Sequence, residues 1–323
     1  MSRILVTGAS GFVGQALLRE LAAAGHEINA AVRNQQAALN VANQARSVIT
    51  GEISEETDWG EAVQGCESVI HLAARVHVMK EKAEDPLEAF RRVNVRGTGQ
   101  LAQAALKAGV KRFIYLSSIK VNGEQTQVVP FAHDDTPAPG DAYAQSKSEA
   151  EVLLREFEGK GLETVIVRSP LVYGPGVKGN FLALMKWVAQ GIPLPLACIE
   201  NSRSLVYVGN LVDALMVCVT HEQAAGETFL ISDQHDFSTP DLICELARTI
   251  GRRPRLFCVS PFVLQFIARL AGRSDEAQRL LSSLVVDTSR LTDILQWRPP
   301  YTAQTGLRAT AEWFLSSRRN PAS

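Results

Sequence analysis

Short apolar runs alternate with long amphipathic stretches through the first half of the chain. Residues 3–7, 27–32, 47–50, 68–72, 112–117 and 164–168 read as strands, and residues 12–24, 86–108 and 142–159 repeat their apolar positions at helical spacing. The strand runs are apolar almost throughout, as strands covered on both faces require. Strand–helix alternation on this scale predicts an α/β fold: a Rossmann-type, doubly wound parallel sheet. After Arg168 the rhythm changes. Prolines and glycines interrupt at Ser169-Pro170 and Tyr173-Gly174-Pro175-Gly176, and helices are expected at residues 181–190, 210–221, 239–251 and 303–316. This divides the chain into a dinucleotide-binding part, residues 1–175, and a smaller, mostly helical C-terminal substrate region, residues 176–323. Residues 227–232 read as a strand able to rejoin the main sheet.

Composition narrows the function classes. The 33 basic and 34 acidic residues nearly cancel, so the basic footprint of a nucleic-acid binder is missing. The five cysteines have no Cys-x-x-Cys spacing, which argues against a disulfide framework or a zinc site and favours free thiols in a cytoplasmic protein. The N-terminus runs straight into a strand and a glycine turn, unlike a signal peptide. The longest apolar stretch, Phe262 to Leu270, is broken by Gln265 and Arg269 and cannot span a bilayer; no membrane insertion is expected.

Gly8-x-x-Gly11-x-x-Gly14 follows the first strand and opens the first helix, carrying Phe12 and Val13 in its first turn. Glycines there let a backbone approach a pyrophosphate, and the helix N-terminus offers free N–H groups to it. The plain alternative is an ordinary strand-to-helix turn. The second strand ends in Val32-Arg33, with no acidic residue for ribose hydroxyls. Arg33 there is either a solvated strand-end arginine or the partner of a 2′-phosphate, which would favour NADPH over NADH. Tyr143 and Lys147, four residues apart, share a helix face. An ammonium beside a phenol lowers its pKa and suits it to proton transfer. Ser117-Ser118 ends the fifth strand, on the sheet edge where such folds bind ligands.

These stretches resemble the extended short-chain dehydrogenase/reductases, in the NAD-dependent epimerase/dehydratase family. The motifs Thr7–Gly14, Val69–Ala74, Asn94–Thr98, Ser117-Ser118 with Val121-x-Gly123, Tyr143-x-x-x-Lys147 and Val172–Gly176 occur in family order. The resemblance implies that Leu72, Ala73 and Ala74 line NAD(P) and that Asn94 supports the site. It implies that Ser118, Tyr143 and Lys147 are catalytic. On the substrate side it implies that Asn180, Arg203 and Arg279, with Ser118, contact a UDP-sugar. Val76, Leu171 and Asn122 depart from the lysine, asparagine and tyrosine common in sugar epimerases. The implied activity is hydride transfer at carbon 4 of a UDP-linked amino sugar, with reduction of a UDP-4-keto-6-deoxy-N-acetylhexosamine in surface polysaccharide (O-antigen) synthesis preferred. The alternatives are a UDP-glucose/UDP-N-acetylglucosamine 4-epimerase and a non-catalytic NAD(P)-binding redox sensor or structural subunit. A homodimer through residues 86–108 and 142–159 is implied by resemblance alone.

Overall fold

The computed structural model describes residues 2–76, 85–272 and 274–319. Seven strands form one parallel sheet, β1 (Arg3–Thr7), β2 (Glu27–Val32), β3 (Arg46–Ile49), β4 (Ser68–His71), β5 (Arg112–Ser118), β6 (Glu163–Ser169) and β9 (Thr228–Leu230), in the order β3-β2-β1-β4-β5-β6-β9. Every neighbouring pair is parallel. A second, smaller sheet joins β7 (Leu171–Tyr173), β8 (Arg203–Tyr207) and β10 (Asp236–Phe237), with β10 antiparallel to β8. The doubly wound α/β class expected from the sequence is the one observed.

Successive residues of a strand face opposite sides, and β1 shows the consequence. Ile4 and Val6 pack in a cluster with Leu17, Leu18 and Leu21 of α1 (Phe12–Ala23) and Leu211 and Leu215 of α8 (Val208–Thr220). Leu5 packs on the other face, with Leu101 of α5 (Gly97–Lys107) and Leu154 of α6 (Ala142–Glu158). Short helices α2 (Gln35–Leu39), α3 (Gly60–Val63) and α4 (Pro86–Arg91) complete the first half. A third cluster belongs to the C-terminal elements. It joins α7 (Gly179–Gln190), α9 (Thr239–Ile250) and α13 (Ala303–Arg319) through Phe181, Met185, Ile243, Leu246, Leu307 and Phe314.

Three helices there were not expected: α10 (Pro261–Leu270), α11 (Ser274–Leu281) and α12 (Ser289–Leu295). The stretch read as one helix over residues 86–108 is α4, a π-helical turn at Arg92–Arg96, then α5. The expectation of free thiols throughout is corrected. Cys198 and Cys258, 60 residues apart, form a disulfide with their Cα atoms 5.0 Å apart. Backbone pairing brings the two loops together: Leu194 N–H donates to Arg255 O at 2.8 Å and Ala197 N–H to Phe257 O at 3.1 Å. That register has no signature in cysteine spacing. Cys66, Cys218 and Cys244 are free.

Candidate active site

The site forms where the order of the sheet reverses, beyond the carboxyl ends of β1, β4 and β5. Gly8 has φ +65°, and a Cβ there would lie 2.8 Å from Ala73 N; a Cβ on Gly14 would collide with Gly8 O. The turn therefore packs backbone on backbone, which only glycine allows. Gly11 precedes α1 with no side-chain cap, so the N–H groups of the first turn, at Phe12 and Val13, lack a side-chain acceptor. This glycine cradle and uncapped helix start suit a pyrophosphate. Beneath them runs a buried chain. Thr7 Oγ1 lies 2.6 Å from His71 Nδ1, His71 Nε2 lies 3.0 Å from Thr98 Oγ1, and Ala73 N–H donates to Thr7 Oγ1 at 3.2 Å. Burial, with Lys147 nearby, pushes His71 down to about 3.

Leu72, Ala73 and Ala74 leave β4 beside this turn. Asn94, in the π-helical turn, latches them to α6. Its Oδ1 accepts from Arg75 N–H at 2.8 Å, and its Nδ2 donates to Arg75 O and to Ser146 Oγ. Ser146 Oγ in turn donates to Tyr143 O at 2.8 Å. An extra residue in a helical turn re-aims side chains, and such bulges recur at functional sites. Arg33 is exposed at the end of β2, next to Asn34, which caps α2.

Helix α6 starts where Asp141 Oδ1 accepts the Ala144 N–H at 2.7 Å. That cap sets Tyr143 in the first turn and Lys147 one turn on. Ser118 sits close enough to Tyr143 to draw its pKa down. Ser117, by contrast, donates to Glu151 Oε1 at 2.5 Å, behind the site. Lys147 is buried, donates to Leu116 O at 2.7 Å and sits 3.9 Å over the Tyr115 ring. Burial pulls Lys147 down to about 7 against the opposing pull of Glu151. The expected lowering of Tyr143 is not found. Burial, then the Asp141 carboxylate, pushes it up to about 12, and the Ser118 hydrogen bond only moderates this. The reason is position: Lys147 spends its charge on the Leu116 carbonyl and the Tyr115 face.

Sequence reasoning missed the support behind these residues. Arg168, at the end of β6, pairs with Glu151 of α6 at 2.6 Å, and both side chains are 7% exposed. Arg168 Nη1 also donates to Asn122 Oδ1 at 3.0 Å, and Asn122 Nδ2 to Ala132 O at 2.7 Å. An acidic residue eight positions after Tyr143 and an arginine ending an apolar strand were the available signal. Lys120 adds a second link, with Asp141 at 2.6 Å and Glu124 at 2.8 Å.

On the C-terminal side, Asn180 is exposed in the first turn of α7. Arg203 opens β8 and donates to Ser282 O at 2.8 Å. Burial, then the like charge of Arg279 on α11, holds Arg203 below the usual guanidinium range, with Glu124 opposing. Two arginines thus share one field, an arrangement an anion would relieve. Buried Tyr173 donates to Asp233 at 2.7 Å, and Asp233 also accepts from Tyr207 N–H and Asn210, fastening β7, β8 and α8 together.

The family model described as NAD dependent epimerase/dehydratase family matches residues 4–232. The chain is 43% identical over 320 residues to a Vibrio cholerae UDP-glucose 4-epimerase, covering 97% of this chain and 96% of that one. It also resembles the structure of MoeE5 in complex with UDP-glucose and NAD (25% identity, TM-score 0.78, 99% and 100% covered). A UDP-glucuronic acid 4-epimerase from Bacillus cereus in complex with NAD shares the fold (21% identity, TM-score 0.79, 97% and 99% covered). With the family model covering most of the chain and a relative aligned nearly end to end, the protein is an enzyme of the NAD dependent epimerase/dehydratase family.

Proposed function

We propose that this enzyme catalyses 4-epimerisation of a UDP-hexose through a transient 4-keto sugar. The observation that carries the reading is Tyr143 beside Ser118, with buried Lys147 one turn further along the same helix. The 43% identity to a UDP-glucose 4-epimerase favours epimerisation over net reduction.

The turn of Gly8, Gly11 and Gly14 fits a dinucleotide, because its tightly packed backbone leads into an uncapped helix start whose N–H groups can meet a pyrophosphate. Residues Phe12, Val13, Leu72, Ala73 and Ala74 would line it, with Asn94 holding the β4 loop. Lys147 has N–H groups to offer the ribose hydroxyls. When bound, NAD supplies the hydride acceptor and donor for carbon 4. Tyr143 handles the proton. Neutral at pH 7, its phenol gives a proton to the C4 oxygen as the keto sugar is reduced. In the oxidative direction the phenolate takes the proton back, a form the Ser118 hydroxyl favours. Ser118 Oγ holds the same oxygen in line. Arg203 and Arg279 would clasp the diphosphate, with Asn180 at the start of α7, so the sugar can present either face while the nucleotide stays fixed. In this reading residues 1–175 serve the cofactor and 176–323 the substrate. A homodimer would pack through the α4–α5 stretch and α6.

A second reading, 4-reduction of a UDP-4-keto-6-deoxy-N-acetylhexosamine for surface polysaccharide, is favoured by one feature. Val32-Arg33 ends β2 without a carboxylate, and the exposed Arg33 offers a fork of donors to a 2′-phosphate. The deciding experiment incubates the enzyme and NAD with UDP-glucose and UDP-N-acetylglucosamine, with products identified by NMR. Appearance of a 4-epimer supports the proposal. Conversion of neither, alongside NADPH-driven reduction of a 4-keto sugar nucleotide, overturns it in favour of the reductase.

A further inference from the structure

Helix α10 turns its apolar side toward water. Phe262, Phe266 and Leu270 fall at successive four-residue steps, and Val263 and Ile267 lie beside them on the same stripe. Phe262 is 82% exposed, Phe266 64% and Leu270 74%, with Val263 and Ile267 about half exposed. Of the helix's large apolar residues, only Leu264, on the opposite side, packs against the C-terminal core. Phe257, in the loop before the helix, is also exposed. A contiguous apolar surface of this kind marks an interaction site on a soluble domain.

The charge around it selects the partner. Residues 251–273 hold five arginines, at 252, 253, 255, 269 and 273, and no Asp or Glu. Arg252, Arg253, Arg255 and Arg269 are exposed. The whole chain carries a net charge of −1, so this cationic rim is local. The root of the helix is fixed. Phe257 N–H donates to Leu194 O at 3.1 Å, Leu194 N–H donates back to Arg255 O, and the Cys198–Cys258 disulfide closes the same pair of loops. A fixed helix with an outward apolar stripe, led in by an arginine-rich loop and carrying Arg269, has the make-up of an interfacial helix. At ten residues it is too short to span a bilayer, and no helix among the described residues is long and apolar enough to do so.

We infer that α10 docks this enzyme on an anionic lipid surface, the stripe of Phe262, Phe266 and Leu270 entering the headgroup region while the arginines meet lipid phosphates. A second copy of the chain on this face would oppose the two arginine rims, whereas an anionic surface neutralises them. Helix α10 packs on α11, which carries Arg279, so docking would bring the bilayer within one helix of the Arg203–Arg279 pair.

The test is co-sedimentation of the full-length enzyme with two vesicle types, phosphatidylcholine alone and equal parts phosphatidylcholine and phosphatidylglycerol. Binding to the mixed vesicles is expected to exceed binding to the neutral ones and to weaken with salt. Phe266→Glu should cut partitioning by about 10-fold, the effect of one apolar side chain kept in water. The double variant Arg252→Gln/Arg253→Gln should cut it by about 30-fold on anionic vesicles and leave neutral ones unchanged. Both variants alter exposed side chains away from the site, so turnover of a soluble UDP-sugar should persist and report an intact fold. Equal, negligible binding of the parent enzyme to both vesicle types would overturn the inference. So would a dimer in solution that Phe266→Glu separates, since a second copy would then occupy the stripe.

Discussion

Tyr143 and His71 show how burial sets the state of a side chain in this protein. Tyr143 keeps its proton at neutral pH because burial and Asp141 outweigh the Ser118 hydrogen bond. Replacing it with Phe keeps the ring and removes only the transferable proton. Turnover should then fall by ~100-fold or more while UDP-sugar affinity and thermal stability change little; near-normal turnover would move the proton to another group. His71 is locked neutral between Thr7 and Thr98, with its pKa at about 3 against 6.5 when free. Between those values the unfolded chain binds more protons than the folded one, so folding stability must drop as pH falls through that window. In His71→Gln the acid-side fall of Tm between pH 6.5 and 4 should be shallower than in the parent, though the variant starts less stable. Parallel curves would mean that His71 contributes nothing to the acid limb. Ser118 was separable from Ser117 by the register of Val121 and Gly123. The geometry gives the two serines different partners, Tyr143 and Glu151.

Among the elements, β6 and α6 are joined by the buried pair of Arg168 and Glu151, which also fixes Ser117 and Asn122 behind the end of β5. Removing one partner strands a charge in a site with little water. Arg168→Ala should cost about 3–5 kcal/mol of stability, read by denaturant unfolding; a change below about 1 kcal/mol would mean that water or another cation takes over. Neither residue stood out in the sequence, because a buried ion pair between two elements leaves no local periodicity. The long strands and helices did stand out, since alternation and amphipathic spacing are the direct trace of a two-faced core. The π-helical turn holding Asn94 did not. It shifts the backbone register by one residue without changing the apolar pattern on either side. Helix α10 does repeat its apolar positions at helical spacing, but residues 262–270 were weighed only as a membrane span.

Across the whole molecule, the first half was legible as a nucleotide-binding sheet because the glycine turn, the strand-end serines and the Tyr143–Lys147 pair all fall at the carboxyl edge of one predicted sheet. The second half was less so. Its sheet of β7, β8 and β10 is built from strands of three, five and two residues, too short for alternation to register. The Cys198–Cys258 bridge depends on a pairing of loops that sequence spacing does not encode. Arg203 and Arg279 were singled out by resemblance, and the fold sets Arg203 within the field of Arg279. On the proposed function, the cradle, Tyr143 and this pair serve an enzyme that removes a hydride from carbon 4 and returns it to the same sugar. The most direct test follows nicotinamide absorbance while UDP-glucose or UDP-N-acetylglucosamine is turned over. The account predicts many sugars epimerised per enzyme with no net change in reduced cofactor. One cofactor consumed for every sugar converted would contradict it.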